Sequence, residues 1–167
     1  VKLYNVQEPR LVANHLGFNG NRRGGKHTYY EGGVRIPFIV RWPGRIPAGE
    51  VNSDSILYGL DWVPTVCALT GTPYDPSAFD GVDVSGVWLK REELTQRTLF
   101  WGIPGPATDD FAPGQILVDG WKLQSRAPQA VELYNLNNDP QEQVNLANKN
   151  PERRSEMMAM LLRRYHQ

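Results

Sequence analysis

The sequence is nearly free of cysteine: Cys67 is the only one among 167 residues. No internal disulfide and no cysteine-based zinc site can be built from it. Its neighbours Val66 and Ala68 mark it as a buried, inert thiol. An excess of either charge is missing as well, since Lys+Arg and Asp+Glu both number 18 and the formal net charge is +0. Nucleic-acid binders concentrate basic side chains, so nothing here argues for nucleic acid as a partner. Long apolar runs are also absent. Those around 37–40 and 62–69 are too short to span a bilayer, and no membrane-surface patch stands out. No basic-then-apolar leader opens the chain, though Val1 is not an initiator methionine and the sequence reads as one that begins mid-protein.

Histidine is sparse too. His15, His27 and His166 lack metal-ligand spacing, and no third ligand accompanies the first two. Asp109-Asp110 and the Asp80/Asp83 pair sit in turn contexts, where local turn chemistry accounts for them. No serine lies in a nucleophile-elbow setting, and the Gly-x-x-x-x-Gly-Lys-Ser/Thr phosphate loop does not occur. What the chain does have is Gly 16, Pro 13 and Trp 5, the composition of a folded, loop-rich domain.

Along the chain, the stretch to about residue 21 has no sustained period and ends in the turn-forming Gly17-Phe-Asn-Gly20. Two glycine pairs, Gly24-Gly25 and Gly32-Gly33, then bracket Lys26-His-Thr-Tyr-Tyr-Glu31. Residues 34–42 read as a strand buried on both faces, because 36–40 is almost continuously apolar. Asp61 opens a short buried helix as its cap, with Pro64 in the first turn and Thr70-Gly71 as its stop. The Pro/Gly-rich stretch 72–81 is the best internal boundary, and a brief helix over 84–93 follows. From residue 97 the pattern changes to short strands at 98–101, 115–118, 121–125 and 131–136, with Asp119-Gly120 a tight-hairpin signal. Asn150 and Pro151 start a last helix, whose Met157, Met160, Leu161 and Tyr165 recur at helical spacing. The expected unit is a small antiparallel sheet with one amphipathic helix across it.

A lysine flanked by glycine turns can hold an anion. Backbone N–H groups freed by such turns form a concavity for oxyanions, and the ammonium adds charge. From pattern alone Lys26 is open to two readings, an anion cradle or a plain structural loop. Trp101, Trp121 and Tyr134 can likewise be a sugar-stacking set or ordinary core.

The stretch Arg23-Gly-Gly-Lys-His-Thr-Tyr-Tyr-Glu-Gly-Gly-Val-Arg-Ile-Pro37, continuing to Gly44, closely resembles a motif of the sulfatase family, Arg-Gly-Gly-Lys-x-Thr-x-(aromatic)-Glu-Gly-Gly-Val-Arg-x-Pro. The likeness continues in register. Asp61-Trp-Val-Pro-Thr65 looks like the family's Asp-x-x-Pro-Thr helix, and Asp80-Gly81 like its following Asp-Gly. Gly120-Trp-Lys122, Glu132-Leu-Tyr-Asn-Leu136 and Asp139-Pro-Gln-Glu-Gln-Val-Asn145 look like its carboxy-terminal strand-and-turn series. The resemblance runs over nearly the whole chain from about Gly17.

It implies a fold of mixed α/β class: the end of an alkaline-phosphatase-like α/β domain, then a small antiparallel sheet with a packed C-terminal helix. The implied division is 1–75 for the catalytic-domain segment, 76–95 for a connector and 96–167 for the subdomain. The implied reaction is sulfate ester hydrolysis by a formylglycine nucleophile with a divalent metal, usually calcium. By position Lys26 contacts the sulfate, His27 faces the substrate, and Glu31 and Arg35 fix the loop. The departures are equally definite. The Cys/Ser-x-Pro-x-Arg motif that yields formylglycine is missing, as is the Asp-Asn-Gly that supplies metal ligands, so no metal ligand is assigned here. The expectation is a fragment, inactive alone, that pairs with a missing amino-terminal portion or with itself through the orphan strand at 36–40. Family resemblance implies a periplasmic, secreted or lysosomal parent. The competing readings are a phosphate or phosphonate monoester hydrolase of the same superfamily, and a non-catalytic sugar-binding module built on Trp101 and Trp121. Variable loops choose the leaving group, with 102–114 the candidate here.

Overall fold

The computed structural model describes residues 19–103 and 105–166. His15 and the turn-forming Gly17 lie outside the described residues. In chain order the principal elements are α1 (Glu31–Val34), α2 (Trp62–Thr70), α3 (Ser85–Lys90), β1 (Thr98–Gly102), β2 (Gly114–Val118), β3 (Trp121–Ser125), β4 (Val131–Asn135) and α4 (Pro151–Tyr165). They fall into two compact units, one formed by residues up to Pro37 with those from Thr98 onward, the other by Phe38–Arg97.

The first unit is built on an antiparallel meander, β1-β2-β3-β4. Asp119 and Gly120 turn the β2–β3 hairpin at φ of +51° and +75°. That pair of left-handed residues matches the twist of the flanking strands, which pins Val118 opposite Trp121. Alternation along the strands gives the sheet two different faces. On one, Ile116, Leu123 and Leu133 are fully enclosed and meet Met157 and Leu161 of α4. Packing against this apolar face stabilises α4, whose outer surface is polar. The other face carries Gln115, Lys122, Gln124 and Tyr134, and these too are buried. Segment 19–35 is their cover.

Residues 36–40 depart from the strand expected there. Helix α1 takes up Glu31–Val34, and the chain then runs without regular structure through Trp42. Ile36 is 74% exposed and Ile39 91%. An extended run becomes a strand only where a neighbour satisfies its backbone groups, and no described segment pairs with this one.

The second unit is helical. Phe38, Trp62 and Trp88 gather their rings at 5.5–6.3 Å, and Thr65 Oγ1 accepts from Val84 N at 2.9 Å. Asp61 does stand before α2, but its carboxylate makes no capping bond to that helix. Arg97 claims it instead, donating Nη1 to Oδ2 at 2.6 Å and Nη2 to Oδ1 at 2.8 Å. Tyr58 N and Val82 N donate to the same two oxygens. A buried bidentate ion pair outcompetes a single capping bond. Helix α2 stops as expected, at Gly71 with φ +69°. Asn150 likewise precedes α4 without a side-chain cap; its amide donates back to Leu146 O. Cys67 is half-buried. Among the described residues no helix is long and apolar enough to cross a membrane.

Burial alone would raise the Asp61 carboxyl, but Arg97 and the two backbone donors outweigh it and hold it below its ordinary 3.8. A depressed carboxyl contributes stability above its unfolded pKa and loses it as pH falls toward the folded one. Acid unfolding of the second unit, followed by tryptophan fluorescence, is therefore expected to set in as pH drops from 3.8. Arg97→Met leaves a buried carboxylate unpaired and should destabilise this unit by about 3–5 kcal/mol in urea titrations.

Candidate functional site

The loop that carries Lys26 is locked by backbone packing. A Cβ on Gly33 would sit 2.2 Å from Thr28 O and 2.5 Å from Gly25 O, and one on Gly32 would sit 2.6 Å from both Arg23 O and Gly24 O. The second glycine pair thus lies directly on the first, an approach only glycine allows. Thr28 closes the turn between them. Its N–H and Oγ1–H both donate to Gly25 O, at 2.9 and 2.7 Å, and Oγ1 accepts from Gly25 N at 2.9 Å. Asn19 Nδ2 donates to Arg22 O and Gly24 O, while Gly32 N donates to Arg23 O. Lys26 and His27 occupy the tip of this turn, both exposed. His27 holds a left-handed φ of +71°, which is uncommon for a residue with a Cβ.

Beneath the tip lies a layer of aromatic and charged groups on the polar sheet face. The Arg23 guanidinium stacks 3.9 Å over the Tyr30 ring and donates to Tyr134 Oη at 2.7 Å and Glu142 O at 2.9 Å. Tyr30 Oη donates to Glu132 Oε2 at 3.0 Å. Gln115 Nε2 donates to Tyr29 O, and to Gln124 Oε1 at 3.1 Å. Burial pushes both phenols up, Tyr134 most, with the Glu132 charge adding to it; both remain neutral hydrogen-bonding groups at neutral pH.

Under this layer the Lys122 ammonium lies 2.9 Å from Glu31 Oε1 and 2.9 Å from Glu142 Oε1. Glu31 N also donates to Glu142 Oε2 at 2.6 Å. Lys122 is 1% exposed, Glu142 0% and Glu31 8%. Glu31, expected to tether the loop, does so through this contact; Arg35, expected to help, reaches it only at 4.0 Å from an exposed position. Burial raises the Glu142 carboxyl, and Lys122 partly counteracts the effect. Lys122 and Glu142 are the residues sequence reasoning did not single out. A lysine alternating with apolar neighbours on a strand reads as solvated, and only the loop above makes it buried.

The proposed sugar-stacking aromatics differ in burial, Tyr134 being enclosed and the two tryptophans half-buried. Tyr134 lies beneath Arg23, Trp121 packs against the apolar core beside Arg153, and Trp101 is half-buried. Among the described residues no group of three His, Cys, Asp or Glu side chains converges to hold a metal ion.

Because backbone carbonyls rather than movable side chains would meet a Cβ at Gly33, Gly33→Ala should unseat the turn without unfolding the sheet. Native-state tryptic cleavage after Lys26 is expected to rise about tenfold or more while the sheet's circular dichroism is retained.

A family model described as N-sulphoglucosamine sulphohydrolase, C-terminal, matches residues 24–167. A Formosa agariphila protein named sulfatase is 32% identical over 148 residues, 81% of this chain and 27% of that protein. Arylsulfatase G of Mus musculus is 45% identical over 98 residues, 58% of this chain and 18% of that one. A solved structure from work on glycosaminoglycan metabolism by Bacteroides thetaiotaomicron matches with a TM-score of 0.70 at 26% identity, over 87% of this chain and 32% of that chain. The chain therefore spans about a quarter or less of the length of these curated relatives. It belongs to the sulfatase family, as a carboxy-terminal portion whose residues 24–167 are those the family model describes.

Proposed function

We propose that this chain is part of an enzyme hydrolysing sulfate esters, of aryl or carbohydrate alcohols, and that Lys26 contacts the sulfate. One observation carries the reading: an exposed ammonium stands at the tip of a turn fixed by glycine-to-carbonyl packing, inside the segment matched to the family. A sulfate ester presents anionic oxygens, and charge on them must be offset by a group already in place. A flexible surface lysine would surrender that advantage to ordering entropy; a locked turn does not. His27, beside it, faces the same substrate.

The formylglycine nucleophile and the divalent metal, calcium in the family's pattern, do not fit residues of this chain. Cys67 is followed by Ala-Leu-Thr rather than x-Pro-x-Arg, and the described residues gather no metal-ligand cluster. In this reading both groups belong to the longer protein, and no step is derived through them. Alone the chain is inactive. Its exposed Ile36, Phe38 and Ile39 seek cover from the missing portion of that protein or from a second copy. The parent enzyme works in the periplasm, outside the cell or in lysosomes. The 102–114 segment is the candidate for choosing the leaving group.

Kinetics on the full-length protein test the reading. Lys26→Ala is expected to lower kcat/KM for an aryl sulfate by about 10²–10³-fold. A variant as active as the wild type would remove Lys26 from the site. Measurable turnover by the purified 167-residue chain would refute its inactivity, and a monodisperse monomer in sedimentation would refute the association.

A further inference from the structure

We infer that Lys122 and Glu142 are positioning residues, a buried clamp that sets the height and orientation of the turn carrying Lys26. The clamp joins three elements far apart in sequence. Glu31 comes from α1, directly after the turn; Lys122 comes from β3; Glu142 comes from the segment after β4. Both ion pairs measure 2.9 Å, and the Glu31 N–H closes the ring on Glu142.

Two features mark the clamp as more than incidental packing. Glu142 keeps a left-handed φ of +54°, a conformation unfavourable for a residue with a Cβ, and it is this backbone that carries the wholly buried carboxylate. The arrangement is also frustrated without its centre, since two carboxylates share one buried spot and repel each other unless a cation lies between them. Among the described residues no neighbour substitutes. Arg35 is exposed and 4.0 Å from Glu31. Arg23 is committed to Tyr134, the Glu142 carbonyl and Glu132. Tyr134, across the strand pair from Lys122, is a neutral phenol. Lys122 is therefore the cation that offsets this repulsion and holds the clamp together. Its relevance to catalysis rests on the proposed role of Lys26, but the clamp itself is testable without turnover.

The test is amide hydrogen exchange on the full-length protein carrying Lys122→Met, corrected for intrinsic rates. At neutral pH the turn amides Thr28, Gly32 and Gly33 should exchange about tenfold faster or more, while Ile116 and Leu123 in the sheet keep their protection. Lowering the pH from neutral should tighten the turn again, because a proton shared between the carboxylates offsets the repulsion left by the missing ammonium. Wild type should show no such pH dependence in the turn. Unchanged turn amides, a uniform rise across turn and sheet, or a pH-independent effect would each overturn the inference. Should Lys122→Met not fold, Glu142→Gln serves instead, since it keeps the Glu31–Lys122 pair. It should loosen the same amides by a smaller factor, and its failure to fold or to loosen them would equally overturn the clamp. Lys26→Ala is the separating control. It should leave turn exchange unchanged, so an active Lys26→Ala enzyme would sink the sulfate reading and leave the clamp standing.

Discussion

The first unit depends on a charge that cannot stand alone. Lys122 is almost wholly enclosed, and an enclosed ammonium is tolerable only with carboxylates against it. Glu31 and Glu142 supply them, so the strand, the loop and the segment after β4 are correct together or not at all. Apolar packing tolerates small slides, whereas buried ion pairs at 2.9 Å do not. This is how a sheet with an ordinary core on one face acquires a precisely seated loop on the other.

The division of labour within that loop follows from residue size. Where the chain must lie against itself there are glycines, and where the turn must be closed there is a hydroxyl, Thr28. The long side chains at 26 and 27 are left to face outward. Under the proposed function that outward lysine meets a sulfate ester, whose anionic oxygens an ammonium can offset.

Much of the sheet and its helix was legible in the sequence. Asp119-Gly120 announced its hairpin because only a few residue pairs accept two left-handed conformations in succession, and residues 121–125 form β3 as read. Met157 and Leu161 marked the buried side of α4. Three features were not legible, for related reasons. Residues 36–40 carry a strand's composition, but a strand is a property of two segments. Asp61 has a cap's chemistry, yet Arg97, 36 residues away, takes its carboxylate. Lys122, Gln124 and Gln115 alternate with apolar residues as a solvated face would, and the pattern is silent on whether water or protein lies above. The proposed site was legible only through its motif: spacing alone left Lys26 between two readings, and the clamp below it ties Glu31 to Lys122 and Glu142 across 91 and 111 residues.

The second unit, Phe38–Arg97, is an excursion between the loop and β1. Seating the loop on the sheet closes the chain around it, and the entropy of such a closure grows only with the logarithm of the length enclosed, about 0.6 kcal/mol for each doubling. The clamp is therefore nearly indifferent to how long the excursion is. Insertions between Phe38 and Arg97 leave the seating of Lys26 almost untouched, so this excursion is where the chain can change length while the turn stays the same.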